Sequence, residues 1–226
     1  MKRIFLLAAA LVSVMCAFAQ EYPMMPQQGV KMVYAITAKT PMGTTNMSVT
    51  QQIQSADENS VVLAMSTSML GGVVGQTTTI RYDIDGNEYV ISLKDAMAEN
   101  LAQLGGNFQV MDGSEDLRYP IFLAEDTQLQ PAKMSIQASV QGMELVMELG
   151  VKERKAVGLE VVTTPAGTFE CVKFTESQVL SLMGQEQVTQ VTYWYGKEVG
   201  LVKQTSYSMG GLVAAELLLD KIEQPL

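Results

Sequence analysis

The stretch TTPAGTFECVKFTESQVLSLMGQEQVTQVTYWYGKEVGLVKQTSY, residues 163–207, decides the fold class. It combines runs of β-branched and aromatic residues with turn residues at short, regular intervals. The tetrapeptide Thr164-Pro165-Ala166-Gly167 has proline at its second position and glycine at its fourth, which is typical of a type I β-turn. Gly184 and a loop at 196–200 separate the runs that follow. The stretch therefore predicts two consecutive β-hairpins in an antiparallel, β-rich domain.

The N-terminus has the pattern of an export signal. Two basic residues precede an apolar run at 4–15, and the small-x-small sequence at 17–19 predicts cleavage after Ala19. The apolar run is too short to span a membrane stably, so we expect no transmembrane segment in the mature chain. Lipidation of Cys16 is an alternative, but Met15 stands where a lipoprotein signal prefers a small residue. We expect an exported protein, periplasmic or extracellular.

The charge of the chain excludes several classes of partner. The full sequence has 15 Lys and Arg against 24 Asp and Glu, a net charge of −9, and loss of Lys2 and Arg3 with the signal makes it −11. A field of this sign repels nucleic acid and anionic lipid surfaces. We therefore expect no nucleic-acid partner.

The mature chain begins with a segment that lacks a hydrophobic period. Residues 20–29 contain two prolines, so we expect a short flexible leader there. From Val30 onward apolar and polar residues alternate, as in half-buried strands. Turn residues at 40–43, 57–59 and 85–87 divide this pattern into hairpins.

One segment has helical spacing. Ser92 is a good N-cap, and Asp95 has the position of the reciprocal acid of a capping box. The apolar residues of 93–104 recur every three or four positions, and Gly105-Gly106 would end the helix.

Together these patterns give about twelve strands and one helix, spaced as in a barrel or sandwich. We expect a mainly β domain at 30–224. Its strongly curved antiparallel sheet would form a half-open or closed β-barrel, capped by the helix at 93–104.

The sequence has no histidine, which excludes the usual catalytic triads, Cys-His dyads and His-based zinc sites. Cys171 loses its only potential partner with the signal peptide and is expected to be a small buried hydrophobe. Glu144 and Glu148 share a strand face and could form a carboxylate pair, but they alternate with apolar residues and fit a solvated face better. The run 83–87 resembles half of a calcium loop but fits a hairpin turn better. We expect neither an enzyme nor a cofactor.

Methionine is unusually abundant, with 14 of 16 residues remaining after removal of the signal. Three explanations are open: a soft but filled core, a cavity for an acyl chain or similar apolar ligand, and a thioether copper site. The candidate ligand-binding residues are Met134, Met143, Met147, Tyr193, Trp194 and Tyr195. Aromatic residues on both faces of one strand indicate either that both faces are covered or that Trp194 is presented to a partner.

Three segments, 163–174, 191–203 and RYPIFL at 118–123, resemble an exported bacterial family of unknown function, the TapB-like domains of Bacteroides-type bacteria. That family pairs a PAGTF-type hairpin with a later YW…GLVK-type hairpin. The resemblance implies a shape similar to the open β half-barrels that carry lipoproteins or lipids across the periplasm. It implies no catalytic residue.

The leading functional hypothesis is a non-enzymatic envelope protein that binds a hydrophobic or lipid-like ligand. The alternative is an interaction module with a filled core, which recognises another envelope protein through an edge strand or Trp194. A carboxylate-dependent hydrolase is a remote third hypothesis.

Overall fold

The computed structural model describes residues 22–40, 43–69, 74–92, 107–140, 143–182, 184–208 and 210–223, and the regular elements within these ranges are all β-strands. In the first half of the chain the strands are β1 (Tyr22–Pro23), β2 (Lys31–Thr40), β3 (Gly43–Ala56), β4 (Ser60–Met69), β5 (Val74–Asp85), β6 (Glu88–Ile91), β7 (Asn107–Val110) and β8 (Leu117–Pro120). In the second half they are β9 (Phe122–Leu123), β10 (Gln128–Leu129), β11 (Ala132–Val140), β12 (Met143–Thr164), β13 (Gly167–Leu182), β14 (Gln185–Gly196), β15 (Gly200–Tyr207) and β16 (Val213–Glu223). The prediction of a mainly β chain is confirmed. The helix expected at 93–104 lies outside the described residues.

Fourteen of these strands form one antiparallel sheet in the order β7-β11-β12-β13-β14-β15-β16-β2-β3-β4-β5-β6-β8, with β10 paired to β12. Two meanders, β2 to β6 and β11 to β16, supply most neighbours, and the β16–β2 pair joins them. Strands β1 and β9 form a separate two-stranded ribbon.

The sheet is open. Strands β7 and β8 end its order, and no described residues pair them with each other. The connection between them instead follows β11, where the N–H groups of Met111 and Glu115 donate to the carbonyl groups of Ser135 and Lys133. The half-open alternative is therefore the correct one, and the closed barrel is wrong.

The curved sheet encloses the beginning of the described chain. Tyr22 is fully buried against β13 and β14, Met25 packs against β3 and β4, and Val30 packs against β2 and β16. The expectation of a flexible leader at 20–29 is therefore wrong from Tyr22 onward. The reason is tertiary: a strongly curved sheet leaves apolar space on its inner face, and these side chains fill it.

The two hairpins predicted from 163–207 are confirmed and contact each other. The first, β12–β13, closes at the pair Thr164–Gly167, and the second, β14–β15, closes at Gly196–Gly200. The ring of Phe169 packs against the apolar clusters of both sheet faces, and the Ala166 N–H donates to the Leu219 carbonyl at 3.4 Å. The first hairpin thus reaches across to β16 and fills one end of the half-barrel.

Close packing within the second hairpin predicts a steric effect at Gly196. A Cβ atom there would lie 2.7 Å from the Cγ2 atoms of Val199 and Val202. Gly196→Ala should therefore lower the free energy of unfolding by about 1–3 kcal/mol, measured by denaturant titration. Gly210 lies in open space and is the matched control. Gly210→Ala should change the free energy of unfolding by less than about 0.5 kcal/mol. Equal losses in the two variants would contradict the close packing.

Candidate functional site

The structure separates the residues predicted to bind a ligand. These are Met134, Met143, Met147, Tyr193, Trp194 and Tyr195. The two tyrosines lie on the inner face, defined as the face packed against the β1–β9 ribbon, whereas the tryptophan lies on the outer face. Met134 is fully buried beside Ile136, and Met147 packs against them. The side chain of Met143 is outside the described part. The methionines that can be placed thus belong to a filled cluster.

Trp194 is covered on the outer face. Its side chain is 5% exposed, and its ring lies between the Nζ atoms of Lys173 and Lys203, 5.4 and 5.1 Å from the centroid. The indole N–H donates to Glu160 Oε2 at 3.1 Å. This bond, with a smaller contribution from Lys173, holds the pKa of Glu160 below its usual value. The sequence left two interpretations open, and the one in which both faces of β14 are covered is correct.

Tyrosines concentrate on the inner face around Tyr195. The rings of Tyr193 and Tyr195 are stacked, with centroids 6.0 Å apart and planes 22° apart. Burial, with Tyr119 and Glu176 as further causes, raises the pKa of Tyr195 well above 10. Burial also raises the pKa of Tyr82 to about 12. The interior therefore favours neutral phenols.

A β-bulge in β12 places a charged side chain in this interior. Between Lys152 and Lys155 the register shifts, so that Glu153 and Arg154 together oppose Glu176 of β13. Glu153 has a φ of 55°, a left-handed conformation uncommon for this residue type. Bulges re-aim the side chains beside them. Here the result is that Arg154 and Glu176 meet with side chains only 1% exposed.

Every strong hydrogen-bonding group of this pair has a partner. Arg154 Nε–H donates to Glu176 Oε2 at 3.3 Å, and its guanidinium carbon lies 4.4 Å from the centroid of the Tyr119 ring. The Tyr193 hydroxyl donates to Glu176 Oε1 at 2.8 Å, and the Tyr119 hydroxyl donates to Oε2 at 3.3 Å. The Gln178 amide lies 3.5 Å from Oε1. The two charges are thus compensated within the interior, as burial requires.

The remaining donors of Arg154 connect separate parts of the sheet. Its two terminal nitrogens donate to the carbonyl oxygen of Gln130 at 2.8 Å and to that of Arg118 at 3.0 Å. Arg118 belongs to β8, at one end of the sheet order, whereas Arg154 belongs to β12, near the other end. One side chain therefore bridges the opening of the half-barrel.

Beside this network, part of the inner face remains unfilled. A groove of about 280 Å³ runs along β12, β13 and β14. We call it the inner groove, and its lining residues are Leu117, Ala132, Leu149, Gly150, Val151, Gln178, Val179, Leu180, Gln187 and Thr189. None of these carries a charge. The inner groove is therefore an apolar hollow with a few neutral polar groups.

Leu117 also borders a second hollow, the tyrosine chamber, of about 200 Å³. The chamber is bordered by Met24 and Met25 of the N-terminal segment and by residues of β4, β5, β6 and β8, including Tyr82, Tyr89 and Tyr119. Because the two hollows share Leu117, they are neighbours on the inner face. Both are modest beside the ~300–1,000 Å³ of small-molecule sites.

Charged residues gather on the outer side of the same strands. A hollow of about 390 Å³ lies on the face of β12 that carries Glu148. Lys133, Lys152 and Glu186 are among the residues that border it, and Lys152 Nζ lies 3.0 Å from Glu186 Oε1. Glu148 is exposed, and the Ser135 hydroxyl lies 3.4 Å from it. The side chain of Glu144 is outside the described part, so no carboxylate pair can be placed there.

The run 83–87 forms a hairpin between β5 and β6, with Gly86 at a φ of 61°. Its carboxylates pair with arginines: Asp83 with Arg81 at 2.8 Å and Asp85 with Arg118 at 2.9 Å. The described residues hold no group of three Asp, Glu, Cys or His side chains suited to a metal ion.

The sequence did not reveal Arg154 and Glu176. Both lie in strands where charge normally indicates a solvent-exposed face. The run Lys152-Glu153-Arg154-Lys155, which interrupts the apolar alternation of β12, was the one available signal.

Comparison with known proteins agrees with this fold. The family model described as DUF3108-like matches residues 27–219. An exported protein with a YmcC-like fold from Bacteroides fragilis is similar with a TM-score of 0.61 and 17% identity, over 90% of this chain and 100% of its own. A lipoprotein from Parabacteroides distasonis is similar with a TM-score of 0.60 and 17% identity, over 89% of this chain and 99% of its own. No curated protein matches the sequence significantly.

These matches support the exported, Bacteroides-type resemblance drawn from the sequence, whereas the name TapB-like is not confirmed. At this level of identity the solved structures show the fold alone. The described residues include no helix of the length and apolarity needed to cross a membrane.

The buried ion pair predicts strongly coupled mutations. Arg154→Met or Glu176→Gln alone should cost about 3–5 kcal/mol of unfolding free energy, because each leaves an uncompensated buried charge. The double variant should lose clearly less than the sum. Denaturant titration measures all three. Arg81→Met removes the exposed pair with Asp83 and should cost less than about 1 kcal/mol. Additive losses at 154 and 176 would refute the coupling.

The inner tyrosines predict a loss of stability at alkaline pH. Their folded pKa values are raised, so the folded protein keeps protons that the unfolded chain releases above pH 10. Their contribution is complete below pH 10 and is lost as the pH rises towards 12. We expect phenolate absorbance to appear in one step together with the loss of β-sheet circular dichroism. Gradual ionisation of all tyrosines while the sheet persists would contradict the buried cluster.

Proposed function

The chain belongs to the DUF3108-like family, and we propose that it is an exported envelope protein whose inner face binds an apolar, lipid-like ligand without catalysing a reaction. The export signal predicted at 1–19 and the exported or lipoprotein character of its structural neighbours support an envelope location. The proposal includes signal cleavage after Ala19 and a periplasmic or extracellular location.

The inner groove is the observation that carries the ligand proposal. Leu117, Leu149, Val151 and Leu180 border it and are only partly buried, so apolar surface remains available. Each methylene group transferred from water to such a surface gains about 0.8 kcal/mol. A flexible hydrocarbon chain therefore suits this hollow better than a polar metabolite.

The lining also limits the chemistry of the ligand. Among the described residues that border the inner groove, none is charged, and the Arg154–Glu176 pair nearby is fully compensated. A charged headgroup would find no counter-ion in the groove, so it would remain in solvent while the hydrocarbon tail enters. The volume accommodates one narrow chain. The absence of an acidic residue from the lining also gives the hydrolase hypothesis no support at this site.

The ligand proposal predicts saturable binding of a fluorescent acyl probe such as cis-parinaric acid to delipidated mature protein. Leu180→Glu places a carboxylate in the groove and should weaken binding about tenfold or more, because the charge or its water must be displaced. Fluorescence titration measures the dissociation constants.

Val146→Glu is the matched control, because Val146 is 46% exposed and lies on the other face of β12. Its affinity for the probe should match that of the wild type. Absence of saturable binding to the wild type, or equal weakening in both folded variants, would refute the groove as the binding site.

A further inference from the structure

Within the part of the chain that the structure describes, the distal part of β12 has a strand neighbour on one side only. Its first part pairs with β11 and then with β10, and the last described bond on that edge joins the Ala156 N–H to the Thr127 carbonyl. From 157 to 164 the strand pairs with β13 alone. In an antiparallel ladder alternate residues direct their N–H and C=O groups to opposite sides, so part of this backbone faces away from the sheet.

Apart from a β-bulge at Val157, this edge lacks the usual protection against further pairing. The sequence 157–163, VGLEVVT, contains no proline or lysine and only one charged residue, Glu160. Three of its apolar side chains are substantially exposed: Val157 by 46%, Leu159 by 41% and Val161 by 68%. Val161 and Leu159 lie opposite Glu170 and Val172 of β13, on one face of the sheet. The edge therefore offers both backbone hydrogen bonds and apolar surface.

The sequence of the edge is suited to antiparallel pairing with itself. With a two-fold axis at Val161, Val161 meets its own copy, Leu159 meets Thr163, and Glu160 meets Val162. This register joins apolar surface and keeps the two carboxylates apart. An axis at Glu160 would set the carboxylates directly opposite each other, which is destabilising. The chain carries a large net negative charge, and the favoured register adds no like-charge pair at the axis.

We propose that residues 157–163 form a homotypic interface, in which a second copy of this chain extends the sheet through antiparallel pairing centred on Val161. This interface is distinct from the inner groove and does not depend on ligand binding. Seven residues bury less surface than a standard interface, so the dimer is weak, and the dimeric fraction increases with protein concentration.

Cross-linking of mature protein tests both the contact and its register. Val161→Cys brings two thiols together at the proposed axis, whereas Leu212→Cys places a thiol at a comparably exposed position, 74% against 68%, outside the edge. In a glutathione redox buffer we expect the first variant to form disulfide dimers about tenfold faster than the second, because associated thiols react at high effective concentration. Cys171 is fully buried, so the wild type should not cross-link.

Light scattering after gel filtration at rising protein concentration tests the association without a new thiol. The wild type should shift towards the dimer mass. Val161→Lys should abolish this shift by placing two ammonium groups at the axis, whereas Leu212→Lys should retain it. Circular dichroism checks that both variants are folded. A wild type that stays monomeric throughout, or equal cross-linking of the two cysteine variants, would overturn the proposal.

Discussion

The geometry of the inner face depends on the buried pair of Arg154 and Glu176. Removing two charges from water costs several kcal/mol per ion, so such a pair persists only where its other hydrogen-bonding groups are satisfied. Here the satisfying groups come from different parts of the chain: two tyrosine hydroxyls on β8 and β14, and two carbonyls on β8 and beside β10. Each partner must be in place for the pair to be tolerated. The pair therefore indicates that these strands have one specific arrangement, rather than that the pair adds stability. Through its hydrogen bond to Arg118 it fixes the position of β8, the last strand of the sheet order, relative to β12.

A second constraint follows from the curvature of the sheet. A strongly curved sheet cannot fill its own interior with side chains alone, and this chain supplies two fillers. Tyr22 to Val30 occupies the middle, and the hairpin tip with Phe169 occupies one end. Neither reaches the surface bordered by Leu149 and Leu180, where the inner groove remains. The same packing that stabilises most of the half-barrel thus leaves only modest hollows, the inner groove and the tyrosine chamber, which is why the ligand proposal concerns a single narrow chain.

The sequence predicted those features that depend on local chemistry. Alternation indicated the strands, and the turn residues at 85–87 and 164–167 indicated hairpins that the structure contains. It failed where distant contacts decide. Tyr22 belongs to a two-residue strand, too short to show any period, and its burial depends on β13 and β14. Glu176 shares the inner face with Val172 and Phe174, but its charge indicates solvent exposure, and only the bulge that brings Arg154 opposite it allows its burial. Tyr193 and Tyr195 were selected as ligand-binding candidates; they lie on the inner face, but neither borders the inner groove, whose shape depends on the three-dimensional curvature of the strands.

The pairing of β2 with β16 has a consequence for how the protein reaches its folded state. Lys31 of β2 pairs with Glu223 of β16, so these two neighbouring strands are separated in the sequence by nearly the whole described chain. Tyr22 likewise pairs with Leu123 and packs against strands that end at 196. Contacts of such long sequence separation make folding slow, because the entropy of closing a long loop is lost before the contacts form. The fold cannot be completed until the C-terminal strand is available. A growing chain that lacks this strand cannot close the sheet, so the topology itself delays compaction until nearly the whole polypeptide is present.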